Sequence, residues 1–441
     1  MAQEQNNICK SEHSGSRKMF SLLKSTFSQY RNIIKNSLFL TIVDGVKLLL
    51  PFIAMPYIIR VCGVENYGKI IFAQSVITYF TIFVNFGLTI YAVREVAKNV
   101  SDLRAVSRLA STFIVLRLIL VGIGFAALWG MVLLVPFMQQ FKLLLFYAFI
   151  AVAAEAFTMT AFFQGMEKMQ NIALLQSVAI IFYIATLFLF VRNAESYERV
   201  VLLQSTGLLI AALLGVLVLC LKYKVTLSLP GAKSLKEMLK GSLPFALSRI
   251  AVIINSNVVK IFAGVVLGMH ELAVLDIVQK ISDAATLPVD ITDQAVYPHN
   301  AKKQDRKFAT RTFCMIVLLG FVCAAGMVIF APWLVHVLGY GKLDAAVPLL
   351  YVLSIKVVLS AMNLYSGTPT LVAFGYPKPF NMSIIYTALL TLCLYAGLYL
   401  AGLLSLKLMI AIMIFNTAFA TAYRLYYCFK HKILIFGGTV S

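Results

Sequence analysis

The chain alternates long apolar runs with short polar connections. Twelve of these runs exceed the ~20 residues that a helix needs to cross a bilayer core of about 30 Å. They lie at residues 37–60, 70–93, 110–134, 142–164, 170–192, 199–221, 241–267, 272–297, 312–335, 345–370, 380–401 and 406–428. The pattern predicts an all-α integral membrane protein of about 12 transmembrane helices.

The eighth run is the most polar of the twelve, since it carries Asp276, Lys280, Asp283, Asp290 and Asp293. At about 100° per residue, most of these side chains share one helical face. Even on a lenient scale a charge at the bilayer centre costs ~2.5 kcal/mol, so this face is expected to meet partners or water rather than lipid. The seventh run offers such partners on one face: Ser242, Arg249, Ser256 and Lys260.

Composition agrees with this class. Hydrophobic residues make up 61% of the 441 residues, charged residues 13%, and the mean hydropathy is +0.88. A soluble protein does not carry so apolar a composition.

The positive charge is unevenly placed. With the N-terminus inside, 25 lysines and arginines fall on the cytoplasmic side, with Arg424 counted in the C-terminal tail, and 7 fall on the other side. This asymmetry follows the positive-inside rule and predicts that both termini are cytoplasmic. Residues 1–36 are basic but have no apolar signal-peptide core. Insertion and the anionic inner leaflet explain the net charge of +20, so no nucleic-acid partner is expected.

A basic loop with Pro230 and Gly231 divides six runs from six. A shift of 205 residues places Gly63 on Gly268 and Gln74 on Gln279, which favours two related lobes with the site between them. We therefore predict two pseudo-symmetric six-helix lobes and five parts: a cytoplasmic tail (1–36), an N-lobe (37–221), a cytoplasmic basic linker (222–240), a C-lobe (241–428) and a C-terminal cytoplasmic tail (429–441).

Motifs for catalysis or cofactor binding are missing. The segment from Gly63 to Lys69 has the glycine and lysine spacing of a phosphate-binding loop, but Ile70 follows where that motif needs Ser or Thr. The seven cysteines show no CxxC spacing, and the five histidines form no HxxxH pair. The predicted outer loops are too short for a catalytic domain. We expect no enzyme activity, no cofactor and no metal.

The charges inside the runs are the remaining candidates. Cations at mid-membrane suit an anionic group such as phosphate or pyrophosphate, and we predict a cationic, substrate-binding cavity formed by Lys47, Arg249, Lys260, Lys280 and Lys356. The acids predicted to line it, or to couple an ion, are Asp44, Glu155, Asp276 and Asp283. Burial favours the neutral form of Asp44, whereas neighbouring Lys47 favours the ionised form, and both outcomes stay open. Arg117, Asp290 and Asp293 lie nearer helix ends, where pairing or snorkelling is expected.

Three stretches resemble a known family. Residues 56–63 with Tyr67-Gly68 and residues 72–75, then residues 85–88 with 92–97, then residues 162–169 are similar to the first outer turn and the ends of helices 2 and 4 in bacterial polysaccharide flippases of the Wzx (O-antigen transporter) type. The resemblance implies a fold related to multidrug and toxic-compound extruders. It also implies that undecaprenyl-pyrophosphate-linked oligosaccharide moves from the cytoplasmic to the periplasmic leaflet of the bacterial inner membrane by alternating access.

We take this flippase activity, serving O-antigen or capsule synthesis, as the leading hypothesis. The expected partners are the lipid-linked glycan, membrane lipids and the polymerase and chain-length proteins of the same pathway. A cation-coupled multidrug exporter is the first alternative, and it would need a mainly acidic and aromatic cavity. A membrane enzyme of polysaccharide assembly is the second, and it would need a larger outer loop or a cluster of His, Arg and Asp at a membrane face.

Overall fold

The computed structural model describes residue 45 and residues 50–435, with the backbone alone for residues 247–256. This part of the chain is helical and contains no β-strand. We number its main helices α1 (Leu50–Cys62, the described part), α2 (Val64–Lys98), α3 (Leu103–Leu134), α4 (Lys142–Gly165), α5 (Met169–Phe190), α6 (Ala194–Tyr223), α7 (Ala232–Phe262), α8 (Met269–Lys303), α9 (Arg306–Gly339), α10 (Asp344–Val372), α11 (Pro377–Leu400) and α12 (Leu406–Lys430).

Nine helices in the described residues, α2 to α6 and α9 to α12, are long and apolar enough to cross a membrane. The chain is therefore a multi-pass membrane protein. Large apolar side chains cover its outside, and Ile329 and Trp333 on α9 are 71% and 62% exposed. In water such a surface would be unstable, but in a bilayer it faces lipid tails. The two long helices outside this set, α7 and α8, pack against α2 and carry most of the charges that the sequence placed in the interior.

Tight turns join α1 to α2 and α7 to α8. Each turn is a glycine with positive φ: Gly63 has φ 87° and ψ 164°, and Gly268 has φ 103° and ψ 173°. A side chain is strained in this conformation, which explains why both positions are glycine. The two turns adopt one geometry at the offset of 205 residues found in the sequence. We call the end of the bundle that carries them the Gly63 end.

Helices α2 to α6 pack mainly among themselves, as do α8 to α12. Helix α7 packs against α11 in the second group and against α2 and α3 in the first, and α2 also packs against α8. The approach is close at the Gly63 end, because Gly68 lies directly against the backbone of Met269. A Cβ atom added at Gly68 would lie 1.8 Å from the carbonyl oxygen of Met269. Absence of a side chain at Gly68 thus allows α2 and α8 to meet. The boundaries of the two lobes, the linker and the tails remain predictions.

Candidate functional site

The α7–α8 hairpin places two opposite charges at the same depth. Lys260 and Asp276 are each eight residues from Gly268, one before it and one after it. At about 1.5 Å of rise per residue, both lie roughly 12 Å from the turn, on adjacent antiparallel helices. Lys280 follows Asp276 by four residues, which is one helical turn, so its side chain reaches the same carboxylate.

These residues form a closed network, which we call the Asp276 cluster: Lys260, Asp276, Lys280 and Tyr67. Lys260 Nζ lies 2.7 Å from Asp276 Oδ1, and Lys280 Nζ lies 2.7 Å from Oδ2. The Tyr67 hydroxyl donates to Asp276 Oδ2 at 2.6 Å and accepts from Lys280 Nζ at 2.8 Å. Tyr67 belongs to α2, so the network connects the two helix groups.

The charges of the cluster do not cancel. Asp276 is fully buried, while the side chains of Lys260 and Lys280 are 20% and 26% exposed. One carboxylate thus faces two ammonium groups, which leaves one net positive charge where solvent screening is weak. An anion that reached both lysines would find them already held together by Asp276.

Two cavities lie on either side of this cluster. The larger has a volume of about 370 Å³ and polar lining side chains that include Lys260, Gln279, Asp283, Lys356 and Asn363. The smaller has a volume of about 230 Å³, and its lining includes Tyr67, Gln74, Tyr183, Gln204 and Lys280. One lysine of the Asp276 cluster therefore faces each cavity.

A second ion pair lies in the larger cavity. Lys356 Nζ on α10 is 3.7 Å from Asp283 Oδ1 on α8. The Asp283 side chain is 71% exposed, in contrast to the buried Asp276 seven residues earlier. The Lys356 side chain is 19% exposed, so Asp283 is the more accessible of the two to a ligand in the cavity, and an ion pair at this distance is weak.

Glu155 on α4 lies in a different network, within the first helix group. It accepts from the Asn85 amide at 3.0 Å and pairs with Arg117 at 3.3 Å. The Arg117 side chain is fully buried and also donates to the backbone carbonyls of Glu155 and Thr158, where α4 is interrupted. Arg117 therefore pairs inside the bundle. Through these contacts the network stabilises the break in α4.

The structure brings together three of the predicted cations and two of the predicted acids around the larger cavity and the Asp276 cluster: Lys260, Lys280, Lys356, Asp276 and Asp283. Asp44 and Lys47 lie outside the described residues, as does the side chain of Arg249, whose backbone is part of α7. Whether any of these residues binds substrate remains a prediction. In the described residues no group of three His, Cys, Asp or Glu side chains could hold a metal ion.

Sequence reasoning missed two polar residues of the interior. Tyr67 served only as part of a family motif, because its contact with Asp276 depends on how α2 packs against α8. Arg424 was counted with the C-terminal tail, which is wrong: it is 7% exposed on α12. It donates to the Ser383 hydroxyl at 2.9 Å and to the Asn363 carbonyl at 2.8 Å.

Comparison with solved structures identifies the fold. A solved structure of a multidrug resistance MATE family transporter of the MOP superfamily, in its inward-facing conformation, superposes with a TM-score of 0.69 at 14% identity. The alignment covers 88% of this chain and 94% of that one. This similarity confirms an all-α transporter fold.

Two curated relatives, both provisionally named O-antigen transporter, match at 24% identity. The protein from Escherichia coli (strain K12) aligns over 82% of this chain and 88% of its own length. The protein from Shigella dysenteriae aligns over 68% of this chain and 76% of its own length.

The family model described as polysaccharide biosynthesis protein matches residues 33–304, which contain the stretches that carried the resemblance and the whole Asp276 cluster. The resemblance noted in the sequence is confirmed, and the chain belongs to the polysaccharide biosynthesis protein family.

Proposed function

We propose that this protein is a flippase that moves undecaprenyl-pyrophosphate-linked oligosaccharide repeat units from the cytoplasmic to the periplasmic leaflet of the bacterial inner membrane. The observation that carries the proposal is the Asp276 cluster, in which one lysine lines a polar cavity and the other lines a smaller cavity of mixed lining, inside a transporter fold. Membership of a polysaccharide biosynthesis family and the relatives named O-antigen transporter support the choice of substrate.

The diphosphate is the group that the cluster suits. Lys260 and Lys280 each contact one oxygen of a single carboxylate, at 2.7 Å in both cases. A diphosphate carries more negative charge than a carboxylate and presents more acceptor oxygens, so it competes with Asp276 for both ammonium groups. Asp276 holds the lysines in place while the site is empty and resumes its contacts after release, which keeps binding reversible.

The sugar needs hydrogen-bonding groups. The larger cavity supplies amides, hydroxyls and the accessible Asp283–Lys356 pair. Polar groups of this kind fix the orientation of a glycan and replace the water that the sugar hydroxyls lose on entering the membrane.

The lipid tail needs an apolar path. A groove of about 450 Å³ lies where α1, α8 and α9 meet, lined by apolar residues such as Phe52, Ala285, Cys323 and Phe330. Ala284 on the same groove directly follows Asp283, so the groove begins next to the polar cavity. The tail can stay in hydrocarbon here while the head group is inside the bundle.

Alternating access requires that the two helix groups part at one end at a time. In the proposed orientation the Gly63 end is periplasmic, and the Tyr67–Asp276 hydrogen bond helps to close it. A diphosphate that displaces Asp276 from the lysines also weakens the contact with Tyr67, because both hydroxyl partners move. Substrate binding would then favour opening toward the periplasm.

The first test is genetic. In a strain that lacks this gene and any substitute flippase, pyrophosphate-linked repeat units should accumulate on the cytoplasmic leaflet while surface polymer disappears. The wild-type gene should reverse both effects, and Lys280→Ala or Arg249→Ala at normal protein level should not. Lys342→Ala is the control, since Lys342 lies exposed in the α9–α10 connection.

Two outcomes would contradict the proposal. Full activity of both Lys280→Ala and Arg249→Ala would show that transport does not need the proposed cationic site. Normal surface polymer without accumulated repeat units in the deletion strain would contradict the flippase function itself. Altered drug susceptibility in that strain would favour the cation-coupled exporter.

A further inference from the structure

A buried carboxylate on α8 has no role in the Asp276 cluster. Asp293 is 7% exposed, and its Oδ1 atom has no hydrogen-bond partner. Among the residues that the structure describes, no lysine, arginine or histidine forms an ion pair with it. An ionised carboxylate buried without a cation is strongly disfavoured.

Among the side chains that the structure describes, none offers Asp293 a counter-ion. On α10, the Tyr365 hydroxyl donates to the Ala309 carbonyl. On α8, Asn300 donates to the Pro369 carbonyl and to Tyr365. Arg424 on α12 is engaged by Ser383 and the Asn363 carbonyl, and the cations at the start of α9 are exposed: Arg306, Lys307 and Arg311. The nearest charged position along α8 is another acid, Asp290, three residues earlier.

Three acids on α8 lie between the larger cavity and the buried position of Asp293, Asp293 included. Asp290 is one turn before it and partly exposed, and Asp283 is two further turns back, with a side chain 71% exposed in the cavity. At about 100° per residue, positions 283, 290 and 293 lie within about 80° of one another on the helix. Burial increases along the helix from Asp283 in the cavity, through Asp290, to Asp293.

We propose that Asp293 is a proton-binding site, loaded in this conformation, and that the proton exchanges with the larger cavity by way of Asp290 and Asp283. A proton is the ligand that fits, because one carboxyl suffices to bind it. A metal cation would need several converging oxygen ligands, and the described residues form no such group of acids, histidines or cysteines at this position. Buried intramembrane carboxyls of this kind act as proton carriers.

Coupling of this proton to transport rests on the proposed flippase function, whereas proton binding does not. A transition that gives Asp293 access to water or to a cation would release the proton, and a transition back to the present packing would take one up. Proton uptake and release would then accompany the alternation between the two access states.

The test is infrared difference spectroscopy of the full-length protein in lipid vesicles during a titration from acid to alkaline buffer. Wild type should show the carbonyl stretch of a protonated carboxyl that disappears on deprotonation, and Asp293→Asn should lack this band. Asp293→Glu should keep the band at a shifted position. Asp305→Asn is the control, because the backbone N–H of Phe308 holds the pKa of the exposed Asp305 below its usual range.

Identical spectra for wild type and Asp293→Asn would overturn the proposal, as would an Asp293→Glu band at the wild-type position. Bands that respond to sodium concentration but not to pH would overturn it in favour of a metal cation. No glycan is needed for these spectra, so they test proton binding at Asp293 even if the flippase assay fails.

Discussion

The buried and exposed acids of α8 offer a direct comparison. Asp276 and Asp283 are seven residues apart on one helix, and each faces a lysine. Asp276→Asn keeps the size and shape of the side chain but removes the charge that holds Lys260 and Lys280. Asp283→Asn makes the same chemical change at the exposed pair with Lys356 and is the matched control.

The expected magnitudes differ because burial differs. Removing one partner of a buried ion pair costs about 3–5 kcal/mol, since the remaining charge is left unpaired. Asp276 is fully buried but its lysines are about one-quarter exposed, so we expect the lower part of this range. A pair 3.7 Å apart with one largely exposed partner contributes about 0–1 kcal/mol, which is the expected effect of Asp283→Asn.

Thermal unfolding of the detergent-purified variants, monitored by the loss of monodisperse protein, ranks the two substitutions. Asp276→Asn should unfold at a clearly lower temperature than wild type, and Asp283→Asn should stay close to it. Lys260→Met combined with Asp276→Asn should cost less than the sum of the two single changes, because the residues share one network. Equal unfolding temperatures for Asp276→Asn and Asp283→Asn would refute the reasoning.

Two further substitutions test the packing around the site. Gly68→Ala should destabilise the α2–α8 contact by about 1–3 kcal/mol, because the new Cβ would lie 1.8 Å from the Met269 carbonyl oxygen. Gly130→Ala is the control, since Gly130 has open space around it. Equal unfolding temperatures for the two variants would contradict the close approach of α2 and α8. Arg117→Met should lower stability by about 3 kcal/mol, because Glu155, 21% exposed, loses its buried partner. An unchanged unfolding temperature would argue that the break in α4 needs no such support.

Hydropathy was sufficient to predict the nine apolar helices, because crossing a bilayer requires long apolar runs whatever the tertiary packing. It also placed Asp276 and Lys280 on one face of α8 and Lys260 on the helix before it. Their convergence follows from local rules alone: a spacing of four residues in one case and equal distances from a turn glycine in the other.

Contacts between distant helices had no such signal. The pairing of Asp283 with Lys356 depends on how α10 packs against α8, and the Tyr67 contact depends on how α2 approaches α8 at Gly68. Charge counting treated Arg424 as a tail residue because it lies near a helix end, but its partners on α10 and α11 can be identified only once those helices are in place.

The central claim is that the Asp276 cluster moves a lipid-linked diphosphate across the membrane. Its most direct test uses vesicles that contain the purified protein and fluorescent undecaprenyl-pyrophosphate-linked glycan, with a membrane-impermeant glycosidase outside. Wild type should expose nearly all of the glycan to the enzyme over time, whereas Lys260→Ala/Lys280→Ala should expose only the half that starts in the outer leaflet. If wild-type vesicles protect the inner half as well as protein-free vesicles do, or if the double variant flips as fast as wild type, the claim is contradicted.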